Sequence, residues 1–493
     1  MAKNRISFIK PYLLPRLQDI LFLAIFVAVL LLGPRMLNQD GDLQRHLATG
    51  RFIAQTGTVP TTELFAYPLA GKPFVATEWL AELILYFAYT IFGLSGTVLL
   101  SALLLATSFT LLYIELSSRL DSRIPLIFLV GGAAVVSSLH WIVRPYLFSM
   151  LFLVICLIWT DRLVRGKKLA LWRLPVLMGI WVNVHGEFIA GILIILAYIA
   201  GWLWDFLFNR TSMPDGKWKI LLTLLLSILA SFITPTGFNV LLAISGFVGN
   251  RYIMSRMGDT SAPNFQDPSL YALLVFVAFS IFLLSITTKR ISTGRSALLA
   301  GFTIMVLTSI RNIHLYGLVA PFVLAEPLVN VYEVKLLERV ENSLRAIETQ
   351  LRGGVWPIVA IVVLGSFVLF HKDIQRYYRF DPTFSPIEAV NWLENHPQHG
   401  NMFNDLNWGG YIDLRLGPEH PVFLDSVADL SGNLTREYET VITLSNGWQD
   451  TLTKYNVAWV IIPTESLLAH RLVSDPHWGT MYNDSIAVIL RKK

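Results

Sequence analysis

The stretch DGDLQRHLATGRFIAQTGTVP, residues 40–60, decides how this chain is read. Asp42 to Gln55 has the spacing of an amphipathic helix, with Leu43, Leu47, Ile53 and Ala54 as its apolar residues. Asp42 and His46 are four apart and share a face. Gly57-Thr-Val-Pro60 predicts its end. The segment follows an apolar run, Ile20–Leu32, and precedes a second one, Trp79–Phe92, which carries Glu82 and stops at Gly93. A polar amphipathic helix between such runs is placed at a membrane surface.

The rest of the chain agrees. Of 493 residues, 54% are hydrophobic and only 15% charged, against about 25% charged in a soluble domain. The mean hydropathy is +0.55. This excludes a soluble enzyme and a disordered chain. It also excludes nucleic acid as a partner, despite a pI near 9.1. The residues up to 371 carry a net charge of +10 and those from Lys372 onward −5, which predicts a membrane domain, 1–371, and a soluble domain, 372–493. The single cysteine, Cys156, says nothing of redox compartment. Lys3, Arg5, Lys10 and Arg16 precede the first apolar run without a small-residue cleavage site, as in a retained signal anchor.

A spanning helix needs about 20 apolar residues. Eleven candidates fall near 19–37, 94–116, 124–142, 145–161, 174–186, 187–208, 218–236, 269–287, 296–311, 313–331 and 355–371. If 79–92 does not cross and the N-terminus is cytoplasmic, 21 basic residues of the membrane part lie inside and 8 outside. The positive-inside rule favours that arrangement, with the tail outside. The polar groups at helix ends then share the outer face: Asp40 and Asp42; His140 and Arg144; Asn183, His185 and Glu187; Arg311, Asn312 and His314. Ionisable groups at membrane depth are functional candidates, and four such turns on one face predict the lining of one cavity. Glu78 and Glu82 share a face at the start of the second apolar run. Residues 237–268, with Asp259 and Asp267, read as loop, and 332–353 as an amphipathic helix on the membrane surface. In the tail, Pro386–His396 reads as a helix, Val422–Leu424, Trp459–Ile462 and Ile486–Leu490 as strands, and Asn407-Trp-Gly-Gly-Tyr411 as a turn.

With Asp40-Gly-Asp42, Gly57-Thr-Val-Pro60 and Glu78-Trp79-Leu80 in place, residues 40–96 resemble the first outer loop (here 38–93) of the GT-C superfamily of membrane glycosyltransferases, which includes protein O-mannosyltransferases and lipid A aminoarabinose transferases. Patterns such as Asp42-x-x-x-His46-x-x-x-Gly50, Asn183-x-His185-Gly186 and Trp408-Gly-Gly-Tyr411 are similar to those of a bacterial branch. The resemblance implies a multi-pass α-helical protein of the bacterial plasma membrane with about eleven spans, interfacial helices in the first outer loop and a small α/β extracytoplasmic domain. It implies transfer of a sugar from a polyprenyl-phosphate carrier to a glycan, lipid or protein acceptor, with inversion. The family's acidic position falls on Asp42, with Asp40 as the near alternative.

On that reading Asp42 takes the acceptor's proton. Arg144 and Arg311 hold the departing phosphate, helped by His140, His185 and His314, with His46, Glu78, Asn183, Glu187 and Asn312 in support. A divalent metal, Mg or Mn, would draw on Asp40 and Asp42, with Asp259 or Asp267. Blander roles stay open: helix capping for Asp42, snorkelling for the arginines, packing for His185, solvation for Glu78 and Glu82, helix-dipole complementarity for Glu187 and a structural turn at Trp408–Tyr411. So do two other functions, a non-catalytic glycan- or lipid-binding protein and a lipid-linked saccharide transporter.

Overall fold

The computed structural model describes residues 14–120, 122–208, 216–288, 291–331, 335–427 and 432–493, with side chains for all of these but 335–337. Six of the 21 basic residues counted inside, Lys3, Arg5, Lys10, Arg210, Lys289 and Arg290, lie outside the described residues, as does Val334 of the amphipathic segment 332–353. The chain divides into two units. One comprises 1–33, 98–234 and 257–375; the other comprises 34–97, 235–256 and 376–493.

The first unit is helical. Among the described residues, six helices are long and apolar enough to cross a membrane: Leu17–Leu37, Trp79–Arg119, Tyr146–Val164, Phe188–Phe208, Pro268–Ile286 and Ile310–Val331. Glu338–Gln350 and Val355–Phe370, bent by 76°, add a seventh if taken as one span. The other runs read as spans form shorter helices, such as Arg173–Trp181 with 9 residues and Lys217–Ala230 with 14. At 1.5 Å per residue these reach at most about 21 Å. Trp79–Arg119 is interrupted at Gly93, where φ 63° and ψ −157° break the helix at the glycine that ends the apolar run in the sequence.

Three helices of this unit run side by side in one direction and carry a polar layer at each end. At their starts sit Ser149, Glu187 and His314; further along sit Asp161, Tyr198 and Glu326. Ser149 to Asp161 and His314 to Glu326 are the same distance along their helices, about 18 Å. In the far layer Asp161 accepts from Arg295 at 2.8 Å and Tyr198 at 2.9 Å, and pairs with Arg165 at 2.8 Å, while Arg295 also reaches Glu326 at 2.6 Å. A cavity of about 490 Å³ opens beside it.

The amphipathic segment forms a helix over Lys335–Gln350. Its deepest side chains are acidic: Glu341 accepts from the backbone N–H of Ile124 at 3.0 Å, and Glu348 from that of Leu17 at 2.8 Å. Each thereby satisfies an orphan donor at the start of another helix. Val340 and Ile347 are left exposed.

The second unit contains a four-stranded sheet, β1 (Asn401–Asn404), β2 (Val457–Pro463), β3 (Trp478–Asn483) and β4 (Ala487–Lys492), in the order β1-β2-β4-β3. β1 and β2 are parallel, with Met402 opposite Trp459; β4 is antiparallel to both neighbours, with Val460 opposite Leu490. The parallel pair needs a long crossover, which the helices Leu406–Leu416, Asn433–Ile442 and Trp448–Lys454 supply. Phe403, Phe423, Trp459, Ile461 and Ile489 fill the core. The expected helix in 386–396 is Ile387–Asn395.

Three readings of this unit are corrected. Val422–Leu424 is not a strand of the sheet: Val422 exchanges backbone hydrogen bonds with Phe65 and Tyr67 of the first loop instead. The run 237–268 is not all loop, for its apolar start folds as the helix Asn239–Gly249, and Asn250 caps the short turn Arg251–Met254. Asn407–Tyr411 is not a turn but part of the helix Leu406–Leu416. Its glycines serve packing: a Cβ on Gly410 would lie 2.5 Å from the Gly41 oxygen, and one on Gly409 2.6 Å from the Leu424 oxygen.

Candidate functional site

In the second unit the first loop builds a compact ionisable cluster. The helix Asp42–Thr56 ends at Gly57, whose N–H bonds the Ile53 carbonyl at 2.8 Å, as the sequence predicts. Asp42, His46 and Gly50 lie four apart along it, on one face. Gly50 lets the start of Trp79–Arg119 come close, for a Cβ there would sit 2.3 Å from the Glu82 carbonyl oxygen. That approach sets His46 against the acidic face one turn away. His46 Nδ1 is 3.0 Å from Glu82 Oε1 and 3.7 Å from Glu78 Oε2. Burial alone would depress the imidazole's pKa. The hydrogen bond to Glu82 and the charges of Glu78, Glu82 and Asp42 outweigh it and raise the value above the usual histidine range. Glu78 and Glu82 are therefore not solvated faces.

Asp42 opens the helix but does not cap it. The cap is Gly41, without a side-chain hydrogen bond, and Asp40 Oδ1 accepts from the Asp42 N–H at 3.1 Å.

Immediately before His46 is a group that the sequence alone passes over. Arg45 is 1% exposed. It reaches Asp425 at 2.9 Å, Glu63 at 3.2 Å and Asp413 at 3.8 Å, and its guanidinium lies 4.3 Å from the Phe65 ring centre. Burial, with Asp425 alongside, pushes the Asp413 carboxyl well above the usual carboxylate range, although Arg45 opposes this. The signal was faint: an arginine flanked by Leu43 and Leu47 in a helix otherwise read as surface. Trp408 and Tyr411, buried in the same region, are not available for stacking on a sugar; the Trp408 indole donates to the Phe384 carbonyl at 2.7 Å.

In the first unit three of the four polar turns converge. The Tyr146 hydroxyl donates to the His140 carbonyl and accepts from the Ile142 N–H at 2.8 Å, closing the turn before Tyr146–Val164. Trp181 donates to Ser149 at 2.8 Å, and Ser149 meets His185 Nδ1 at 3.1 Å. Glu187 Oε1 is 2.9 Å from His314 Nε2, and its Oε2 is 3.4 Å from His185 Nδ1. The His140 ring stacks on His314 with centres 5.6 Å apart, and Tyr146 lies 4.7 Å from His314. His140, His185 and His314 are all buried. Arg144 and Arg311 act on His140 through their charge, as do His314 and Glu187. His314 Nδ1 is buried and has no hydrogen-bond partner among the described residues. Ser149, which meets the His185 ring, and Tyr146, which packs against the rings of His140 and His314, are members that the sequence alone did not single out.

Two predicted members stand apart. Asn183 donates to the carbonyls of Gly179 and Ile233, each at 2.7 Å, and Asn312 to that of Met305 at 3.0 Å. These amides hold backbone. Asp259 pairs with Arg311 at 3.9 Å, and Asp267 accepts from the Ser269 N–H at 2.9 Å. The fourth turn, with Asp40 and Asp42, belongs to the other unit.

No protein-family model matches the sequence, and no curated protein matches it. Solved structures do. One is the archaeal oligosaccharyltransferase AglB from Archaeoglobus fulgidus, in complex with an inhibitory peptide and a dolichol-phosphate (TM-score 0.57, 12% identity, 90% of this chain and 69% of that one). The same enzyme in the apo form gives a TM-score of 0.59 at 13% identity, over 90% and 70%. ArnT from Cupriavidus metallidurans, also apo, gives 0.56 at 13% identity, over 96% of this chain and 97% of that one. The chain thus has the GT-C fold of membrane glycosyltransferases, as the first loop implied.

Proposed function

We propose that this protein is a glycosyltransferase of the plasma membrane of a bacterium. It moves a sugar from a polyprenyl-phosphate carrier to an acceptor on the outer side, with about eleven crossings, a cytoplasmic N-terminus and the 372–493 domain outside. The observation that carries the reading is the meeting of His140, His185, Glu187 and His314, from three separate turns, with Arg144 and Arg311 in electrostatic reach. Buried imidazoles and two guanidiniums at the starts of membrane helices suit a phosphate whose charge grows as a bond breaks. The neighbour solved with dolichol-phosphate is consistent with a lipid-phosphate donor.

In the transfer, the acceptor oxygen attacks the anomeric carbon as the bond from that carbon to the phosphate oxygen breaks. The polyprenyl phosphate leaves with the electron pair, and a single displacement inverts the centre. Asp42 takes the acceptor's proton, with Asp40 as its neighbour.

The test is binding of polyprenyl phosphate to the protein in lipid nanodiscs, followed by transfer from a panel of polyprenyl-phosphate sugars. Wild type and Asp42→Asn are expected to bind the carrier, and Arg144→Ala/Arg311→Ala to lose it. Transfer is expected from wild type alone. If the folded protein binds no carrier, the reading falls and a glycan-binding or transport role takes its place.

A further inference from the structure

We infer that His46, Glu78 and Glu82 form a binding site for one divalent transition-metal ion of the Zn2+ or Mn2+ kind. The inference concerns a different cluster from the phosphate site and stands or falls apart from the transfer reaction.

Three observations carry it. One imidazole nitrogen and one oxygen from each carboxylate lie within 4.8 Å of one another, close enough to share an ion. Glu82, 5% exposed, leaves its Oε2 buried without a hydrogen-bond partner among the described residues. An unsatisfied carboxylate oxygen at that depth is costly, and an ion satisfies it. The third is charge. Glu78 and Glu82 bring two carboxylates to one imidazole, and Asp42 lies one turn before His46 on the same helix face. The nearest guanidinium, Arg45, is already directed at Asp425, Glu63 and Asp413. A divalent ion on a neutral imidazole and two carboxylates brings the three to zero.

The donor set selects the ion. Calcium takes six to eight oxygen ligands and magnesium favours oxygen and water in a near-ideal octahedron. One nitrogen with two carboxylate oxygens suits Zn2+ or Mn2+. Three protein ligands also leave a coordination position open. The site is two helices thick: His46 comes from one, Glu78 and Glu82 from the start of the next, and the Gly50 contact sets their separation. The expectation from sequence, an ion on Asp40 and Asp42, is thereby moved to the next turn.

The experiment uses the full chain in nanodiscs, stripped with a chelator and titrated with Mn2+ and Zn2+. Wild type is expected to take up one equivalent. His46→Ala and Glu82→Gln are expected to weaken uptake by more than the ~10–100-fold that removing an outer partner of a metal ligand costs. Asp40→Asn is expected to bind as wild type. Pulsed EPR on the Mn2+-loaded wild type is expected to show coupling to one imidazole nitrogen, a readout that needs no variant to fold. Absence of stoichiometric uptake by folded wild type overturns the inference, the cluster then being an imidazolium held between two carboxylates. Bound Mn2+ without nitrogen coupling, or uptake unchanged in both variants, overturns it equally.

Discussion

Replacing Arg45 with methionine removes a charge that is buried and shared by carboxylates distant in sequence. Two of them, Asp425 and Glu63, would be left as uncompensated buried anions, each keeping backbone N–H partners such as Val427 and Phe65. Breaking a buried pair from one side costs about 3–5 kcal/mol, and the contact with Phe65 adds about 1 kcal/mol. For a cooperative unit of this size, 1 kcal/mol moves the midpoint by about 2–4 °C, so a total of about 4–6 kcal/mol gives an expected loss of about 8–24 °C. Asp413→Asn should behave in the opposite way. Its carboxyl holds a proton in the folded state to well above the unfolded value of about 3.9. In that window the native state binds more protons than the unfolded state, so stability falls as pH rises from the unfolded to the folded pKa. Asparagine mimics the protonated form and removes the slope. The variant should gain on wild type as pH is raised from 4 toward 8. The assay is tryptophan fluorescence of the full chain in nanodiscs, heated at one fixed rate across that pH range. An Arg45→Met shift below about 2 °C, or an Asp413→Asn loss equal to that of Arg45→Met at every pH, would refute the assignment of charge in this cluster.

Three further expectations can be checked in the same preparation. Gly50→Ala forces a Cβ against the Glu82 carbonyl and should cost about 1–3 kcal/mol, read as a lower midpoint; an unchanged midpoint would mean the helices part easily. Gly93→Ala meets open space but an essentially glycine-only backbone conformation, so about 1–3 kcal/mol should be lost, unless the helix straightens, which spin-label distances across residue 93 would reveal. Asp161→Ala leaves Arg165 and Arg295 without their shared carboxylate; about 3–5 kcal/mol should go, with carrier binding at the opposite ends of the same helices kept. Loss of binding in a variant that stays folded would show that the two layers are coupled.

Much of this was legible where local chemistry decides the outcome. The helix from Asp42, its end at Gly57 and the interruption at Gly93 follow from spacing and from glycine. So do the α/β character of the tail and the acidic and histidine positions that meet in space. What was missed depends on partners far along the chain. Arg45 looks solvent-facing until Glu63, Asp413 and Asp425 are brought to it. Gly409-Gly410 reads as a turn because glycine inside a helix costs about 1 kcal/mol relative to alanine, and only the close approach of Gly41 and Leu424 overrides that. β1 is four residues long with asparagine at both ends, too short for a period to register. Hydropathy places the apolar runs, but it does not say where the backbone turns within them, so the short lengths of helices such as Arg173–Trp181 are not legible in the sequence.

The salt link between Arg45 and Asp425 joins residues 380 positions apart. At about 5–20 residues per second, a ribosome needs about 20–80 s to travel between them. For that interval the helix Asp42–Thr56 already exists as chain with Glu63 as the arginine's one carboxylate partner yet made, while Asp413 and Asp425 are still to come. The unit built from 34–97, 235–256 and 376–493 can therefore close only after translation has passed its last carboxylate. A ribosome that stalls earlier leaves the guanidinium with Glu63 and without the two carboxylates of the tail.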